Sequence, residues 1–389
     1  MAGENGDSYT ETTSQSWGSR LMESIKGVLV GLVLFIAAFP VLWMNEGCAV
    51  KTAKGLDEGA KIVTSVKAET VDPANNGKEV HLSALATTDE VLADKNFGIN
   101  QKCIKLIRNV EMYQWKEESH SEKKKKLGGG EETVTTYTYK KEWSSNPIDS
   151  SKFKKPGYKN PAMPYKGETF TANLVKLGAF RLSPSLISQI TKSEPMALQQ
   201  ENISKLSAEI RGKARILDGG IFVGKNSPEP NIGDFKINYS IVKPQTVSVV
   251  AKQINDTFEA YATKQGTEIN RLEHGERSAE SMFQQMQKEN TVQTWILRLV
   301  GLILMASGIG LIFRPLSTFG DVIPLIGSVL NMGIGIFAFI MGLVLSLITI
   351  AIAWIAHRPI LGIAILVIGA GIFVAIWLIG KQKKAKAAV

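Results

Sequence analysis

Any chemistry this chain performs must come from four histidines, two cysteines and a few acids set beside aromatic residues. His81, His120, His274 and His357 are scattered. His81 and His274 are the two that strands could bring together, and strand histidines are more often structural than metal ligands. Glu111 and Glu142, near Trp115 and Trp143, could form a polar pocket, with cross-strand pairing to lysines as the simpler account. Cys48 and Cys103 follow no redox or zinc spacing, which leaves either a disulfide or two unpaired thiols. No GxxxxGK[ST], HExxH, paired CxxC or GxSxG occurs, and Gly128-Gly129-Gly130 lacks the Lys-Ser/Thr of a phosphate cradle. The residues predict no catalytic group, no cofactor and no metal.

Hydropathy decides what must position these residues. Apolar runs at 27–44 and 359–380 have the length of membrane-crossing helices, and two more lie at 299–313, just beyond Arg298, and at 322–356. The 322–356 run is too long for one span. Residues 333–356 are expected to cross, and 322–330, behind Asp321 as an N-cap and interrupted by Pro324, to form a short interfacial helix. The 27–44 run is longer than a signal-peptide core and lacks a small-x-small exit, so it reads as an anchor. Arg20, Lys26, Arg314 and the lysines of the C-terminal tail outnumber Lys51, Lys54, Arg298 and Arg358, and Trp43, Trp295 and Trp354 fall at the opposite interface; both patterns predict cytoplasmic termini.

The expected fold class is therefore integral membrane, α+β, with four transmembrane helices, one N-terminal and three C-terminal, and a large β-rich extramembrane domain. Its divisions are a cytoplasmic tail over 1–26, the first span over 27–44, the periplasmic or luminal domain over 45–295, three spans within 296–380 and a basic tail over 381–389. The domain holds 36 of the 45 basic and 31 of the 36 acidic residues. That near balance speaks against a nucleic-acid partner. Residues 46–61 have the spacing of an amphipathic helix leaving the bilayer. Strands are predicted at 79–85, 103–115 and 133–143, the last two forming a long hairpin. Its tip, 119–131, is lysine- and glycine-rich and offers nothing to bury. A helical middle at 184–209, strands at 214–223, 234–242, 246–254 and 267–272, and a helix from 277 into the second span complete the domain.

The segments Asn45-Glu46-Gly47-Cys48-Ala49-Val50 with the nine residues that follow, VEMYQW at 110–115, YTYKKEW at 137–143, KNP at 159–161, GD at 233–234, HGERSAESMF at 274–283 and Arg358-Pro359 resemble the transmembrane protein 43 family, also called LUMA, over nearly the whole chain. The matching positions include Asn45, Glu46, Gly47, Glu111, Tyr113, Trp115, Trp143, Asn160, Pro161, His274, Gly275, Arg358 and Pro359. Tyr158 stands where the family usually has His, which removes that position as a proton carrier or ligand. The resemblance implies a four-span endomembrane protein with a large luminal domain, self-associating and organising membrane partners, for which no catalytic activity is established.

Within the spans, Gly27, Gly31, Ala306, Gly310, Gly327, Asn331, Gly335, Gly371 and Ala375 recur at four-residue spacing, as in close helix crossings. They serve packing inside one bundle or contacts between copies. Asn331 should face protein, because an amide in hydrocarbon needs a partner. The expected function is a non-enzymatic membrane-organising scaffold that self-associates and binds other membrane or envelope proteins. The alternative is an enzyme or regulator acting on lipids, through a pocket between the β domain and the helix at 46–61. The expected location is a multi-pass position in the bilayer, either in a bacterial cytoplasmic membrane with a periplasmic domain or in the endoplasmic reticulum or inner nuclear membrane.

Overall fold

The computed structural model of the chain describes residues 8–358. The predicted fourth span with Gly371 and Ala375, Pro359, and the basic tail lie outside the described residues. In chain order the elements that matter are β1 (Ser8–Gln15), α1 (Trp17–Ile62), β2 (Glu79–Thr87), β3 (Lys105–Lys125), β4 (Glu131–Ser144), β5 (Phe235–Val242), β6 (Gln245–Ile254), β7 (Arg271–His274), α2 (Ala279–Gly320) and α3 (Pro324–His357).

Three described helices, α1, α2 and α3, are long and apolar enough to cross a membrane. The first span and the amphipathic segment after it are one 46-residue helix, capped by Ser16, whose side chain accepts from the Ser19 amide, and carrying Pro40 within it. At 1.5 Å per residue α1 is about 69 Å long, so it spans hydrocarbon and continues well beyond it. The helix predicted from residue 277 likewise runs without a break into the second span as α2, with Ser278 as its N-cap. Both connections from membrane to domain are thus helical.

The interfacial helix expected at 322–330 is not a separate element. Pro324 sits at the start of α3, where its missing N–H costs nothing, so it begins the helix that the sequence reading had it interrupt. Asp321 is not the N-cap of α3 either: it ends α2, and its carboxylate takes cations from elsewhere.

The domain is built on two larger sheets. In one, β5 pairs with β3 from Phe235 opposite Met112 to Val242 opposite Lys105, and β3 continues as a hairpin with β4. In the other, β6 lies between β2 and β7. Alternating side chains of β3 and β5 turn Leu106, Val110, Met112, Ile237, Tyr239 and Ile241 inward, where they meet Val80, Leu82, Val247 and Val249 of the second sheet. A smaller cluster, Leu56 of α1, Val250, Ile269, and Met282 and Phe283 of α2, joins the domain to the helices.

The hairpin departs most from the sequence expectation. Its strands continue through the lysine run, Lys125 opposite Glu131, and β1 from the N-terminal tail adds a third strand, Ser8 opposite Thr138 to Gln15 opposite Glu131. The tip is docked on the far end of the helices. The Gly128 amide donates to the Val322 carbonyl at 3.1 Å, Lys125 reaches Asp321 at 2.5 Å, and Arg20 bridges Asp321 at 2.5 Å and the Gly129 carbonyl at 2.6 Å. Gly129, at φ +79°, lies against Trp17, whose indole N–H donates to the Thr318 carbonyl. The N-terminal tail and the hairpin, assigned by charge and hydropathy to opposite faces of the bilayer, are paired strand to strand.

Candidate functional site

The site is built where the helices leave the apolar zone. α1 turns Glu46 inward because Asn45, Glu46, Ala49, Val50, Leu56 and Gly59 share its buried face. α2 brings Arg298 to the same level, and its guanidinium donates to Glu46 twice, Nε to Oε1 at 2.6 Å and Nη2 to Oε2 at 2.9 Å. α3 supplies Trp354, whose indole N–H donates to Glu46 Oε2 at 2.7 Å. The guanidinium also lies over Trp295, 4.6 Å from its centroid, and over Trp354 at 5.6 Å. Glu46 is fully buried.

Around this core Trp43 meets His357 edge-on at 5.3 Å, and Gly47 makes room for that ring: a Cβ there would stand 3.0 Å from it. Asn45 donates to the Thr294 carbonyl at 3.1 Å. Above, Asn290 reaches the Ala49 carbonyl, and Gln287 reaches Ala53 and Asp57. A carboxylate accepting three charge-assisted or indole donors ties its partners together, so the cluster is a clamp on three helices. Arg298 and the tryptophans Trp43, Trp295 and Trp354, expected at one interface, gather at one level of the helices. The pairing of Arg298 with Glu46 was missed.

The other motif positions collect at two further places. At the hairpin base, Asn160 accepts from the Trp115 amide at 2.7 Å and donates to the Trp115 carbonyl at 2.9 Å, closing a side-chain imitation of a strand pair. Tyr113 packs on Trp143 at 5.2 Å, Lys236, opposite Glu111 in register, lies 4.2 Å over Trp143, and Pro161 lies close to the tight Gly233 turn. Tyr158 stacks on Tyr139 at 4.1 Å, an aromatic contact at the position where the resemblance would put a histidine. Glu142 pairs with Lys116 at 3.1 Å, so the lysine pairing explains it.

The second place is His274-Gly275, at the end of β7. His274 Nε2 faces the Thr191 amide and hydroxyl, and Nδ1 faces Gln245 Oε1 at 3.1 Å, which fixes a neutral tautomer with the proton on Nδ1. Burial, then Lys192 and Lys105, hold its pKa below the usual imidazole range. His81 binds Ser65 and the Arg277 carbonyl. Because β6 runs between their strands, the two histidines do not meet, and no metal-binding cluster occurs among the described residues.

Sequence reasoning missed two buried acids. Asp94 accepts from Arg108 at 2.5 Å and from the Tyr239 hydroxyl at 2.7 Å beneath the main sheet, a satisfied structural network. Glu79 has neither oxygen hydrogen-bonded, and Gly59 provides its space. Burial and then the nearby Glu58 push its pKa up to about 7. Cys48 and Cys103 are both free; burial pushes the Cys103 thiol up to about 11.

The small residues divide in two. Gly31 crosses α2 so closely that a Cβ would meet the Gly308 carbonyl at 2.8 Å, Gly27 faces Leu311, Ala306 fills the space at Gly342, and Gly310 faces Ala338. These serve packing inside the bundle. Gly327 closes on the Asp321 turn. Asn331 and Gly335, one turn apart on α3, are exposed, and a Cβ on Gly335 would meet nothing within 4 Å.

The family profile for Transmembrane protein 43 matches residues 112–359. This chain belongs to the transmembrane protein 43 family. It is 35% identical to Transmembrane protein 43 of Rattus norvegicus over 353 residues, covering 87% of this chain and 86% of that one. It is 33% identical to the Homo sapiens protein over 363 residues, 90% and 89% of the two chains. With the Transmembrane protein 43 homolog of Drosophila melanogaster the identity is 28% over 360 residues, 89% and 93% of the two. No solved structure matches the chain. Its relatives' names and its apolar helices make this family member a multi-pass integral membrane protein.

Proposed function

We propose that this transmembrane protein 43 family member is a non-enzymatic scaffold of the membrane. It self-associates through its helices and presents its β-rich domain to other membrane or envelope proteins. The observation that carries the reading is the Glu46 clamp: by fastening α1, α2 and α3 together where they leave the apolar zone, it mounts the domain stiffly on the bundle. A fixed mount suits a protein that organises neighbours, since a partner bound by the domain is then held at a set height and orientation. Asn331 and Gly335 supply the face for self-association, because an exposed amide at membrane depth gains from a partner amide.

Native mass spectrometry in mild detergent tests this. Wild type should be oligomeric, and Gly335→Leu should weaken the assembly more than Asn331→Leu, since a bulky side chain separates backbones while a lost amide removes only about 0.6–2 kcal/mol. A strictly monomeric wild type would end the proposal.

One observation favours a lipid-acting enzyme or regulator as a second reading. A groove of about 500 Å³ runs between Leu56 and Ala60 of α1, with Val63 just beyond its end, and Ala279 and Phe283 of α2. Changed membrane lipids in cells carrying Ala60→Trp, which fills the groove, with the assembly intact, would favour it over the scaffold.

A further inference from the structure

A second concavity carries more information than its size. A cleft of about 850 Å³ opens between β7, the loop at Gln189 and Thr191, and the first turns of α2 at Ser281, Gln284, Gln285 and Lys288. From its lower rim a shallower groove of about 250 Å³ continues along α2, sharing Gln285 and Lys288 with the cleft and passing Val292 to end at Ile296. From Lys288 to Ile296 is eight residues, about 12 Å of helix. Ile296 is the first residue of the apolar zone, one step from the exposed Trp295. The concavity therefore leads from the bilayer surface up into the domain, apolar below and polar above.

The charges in the cleft are unequal. Arg271 is occupied, by Glu289 at 2.6 Å and Glu273 at 3.4 Å. The Arg277 and Lys288 side chains make no hydrogen bond or ion pair among the described residues, and the Ser281 hydroxyl donates to none of them. Lys192 and Lys105 extend the positive field on the far side, as their effect on His274 records. The first turn of α2 adds its own partial positive charge. Two unpaired cations lining a polar cleft call for an anion, and an apolar track from that cleft to the bilayer calls for a chain attached to it.

We propose that this concavity binds an anionic, phosphate-bearing amphiphile drawn part-way out of the membrane. The phosphate sits between Arg277 and Lys288 near Ser281, and one acyl chain lies along Val292 and Ile296. Arg is suited to bidentate phosphate contact and Lys to a point-charge contact. The site is independent of the scaffold reading: it stands whether or not the protein self-associates.

The test uses the full chain in nanodiscs of phosphatidylcholine alone or of equal parts phosphatidylcholine and phosphatidate, with retained lipid counted by native mass spectrometry after release. Wild type should keep one phosphatidate and no phosphatidylcholine at this site. Arg277→Glu with Lys288→Glu should lower retention at least about tenfold, as should Val292→Asn with Ile296→Asn, since each pair removes one end of the recognition. Both cations are unpaired among the described residues, so their replacement should leave the melting temperature in place. Arg277→Gln with Lys288→Gln provides a milder form of the same test. Inorganic phosphate alone should bind far more weakly. Equal binding of inorganic phosphate, with the Val292 and Ile296 changes without effect, would make the site one for a free anion and overturn the lipid assignment. Retention unchanged by either cation pair would overturn the site altogether.

Discussion

The helical bundle and the β1–β4–β3 ribbon traverse the same depth of the molecule and satisfy their backbones in opposite ways. α1, at 46 residues, and β3, at 21, are both on the order of 70 Å long. The helices close every backbone bond within themselves and can expose Leu29, Val33, Ile36, Ile303 and Leu347 to hydrocarbon. The ribbon closes its bonds only between strands, leaves the outer edges of β1 and of the distal half of β3 open, and is polar on both faces. Such edges are not tolerated against lipid. The ribbon is rooted in the domain and tied at its tip to Arg20, Trp17 and Asp321. It follows that the flank it passes faces protein or water, and lipid contacts the remaining flanks.

Breaking the bundle should cost most. Glu46→Ala strands the Arg298 guanidinium in a buried site, and loss of one partner of a buried pair costs about 3–5 kcal/mol. Thermal unfolding in detergent should show a large fall in midpoint, with Glu46→Gln losing less because Trp354 keeps an acceptor. An unchanged midpoint would mean that the clamp is dispensable. Gly31→Leu comes next: its side chain must displace the Gly308 backbone, an overpacking of about 1–3 kcal/mol or more. The same change at Gly335 should leave the protomer's melting intact, and that contrast is the sharper measurement.

The joint between bundle and domain has a pH signature. The pKa of Glu79 is raised in the fold from 4.5 to about 7, so its stabilising neutral form is fully present below pH 4.5 and is lost as pH rises through 7. Glu79→Gln should therefore raise the melting midpoint at pH 8 and change it little at pH 4.5. Equal effects at both pH values would show that the carboxyl is not the cause.

The ribbon gives the smallest energies and the clearest geometry. Asp321→Ala leaves Arg20 and Lys125 without their shared acid and should free the tip, seen as faster trypsin cleavage at Lys123 to Lys126. Cysteines placed at Thr10 and Thr136, directly opposite in register, should cross-link under mild oxidation. Failure to do so would undo the three-stranded ribbon and restore the tail and hairpin to opposite faces.

Much of this architecture was legible because period and hydropathy are local properties. The three described spans, the hairpin and the strands at 234–242 and 246–254 each stand where alternation or an apolar run predicts them. The Glu46–Arg298 pair joins positions 252 residues apart, and no local pattern marks either as a partner. The available signal is an acid and a base, Glu46 and Arg298, each next to an apolar run at the same interface. β1, Ser8–Gln15, has no apolar alternation at all, since neither face is buried in a core, so it reads as a polar tail. The lysine run looks like a loop for the same reason; it becomes strand because its partner strand supplies acids, Lys123 reaching Glu131 at 3.3 Å and Lys126 pairing with Glu132. Pro324 was misread because a proline breaks a helix or begins one depending on a position that sequence alone did not fix.

α1 also has a mechanical meaning. A single rod of about 69 Å, fastened by the clamp about two-thirds of the way along it, is a lever with unequal arms: a tilt of the bundle in the bilayer carries the upper arm, and the β domain with it, through a proportionate arc. The compliant point of that lever is Pro40. Its ring has no N–H for the Ile36 carbonyl, and it lies six residues below Glu46, on the bilayer side of the fulcrum. Flexing of the rod within the bilayer is therefore expected there first, below the clamp that holds the domain.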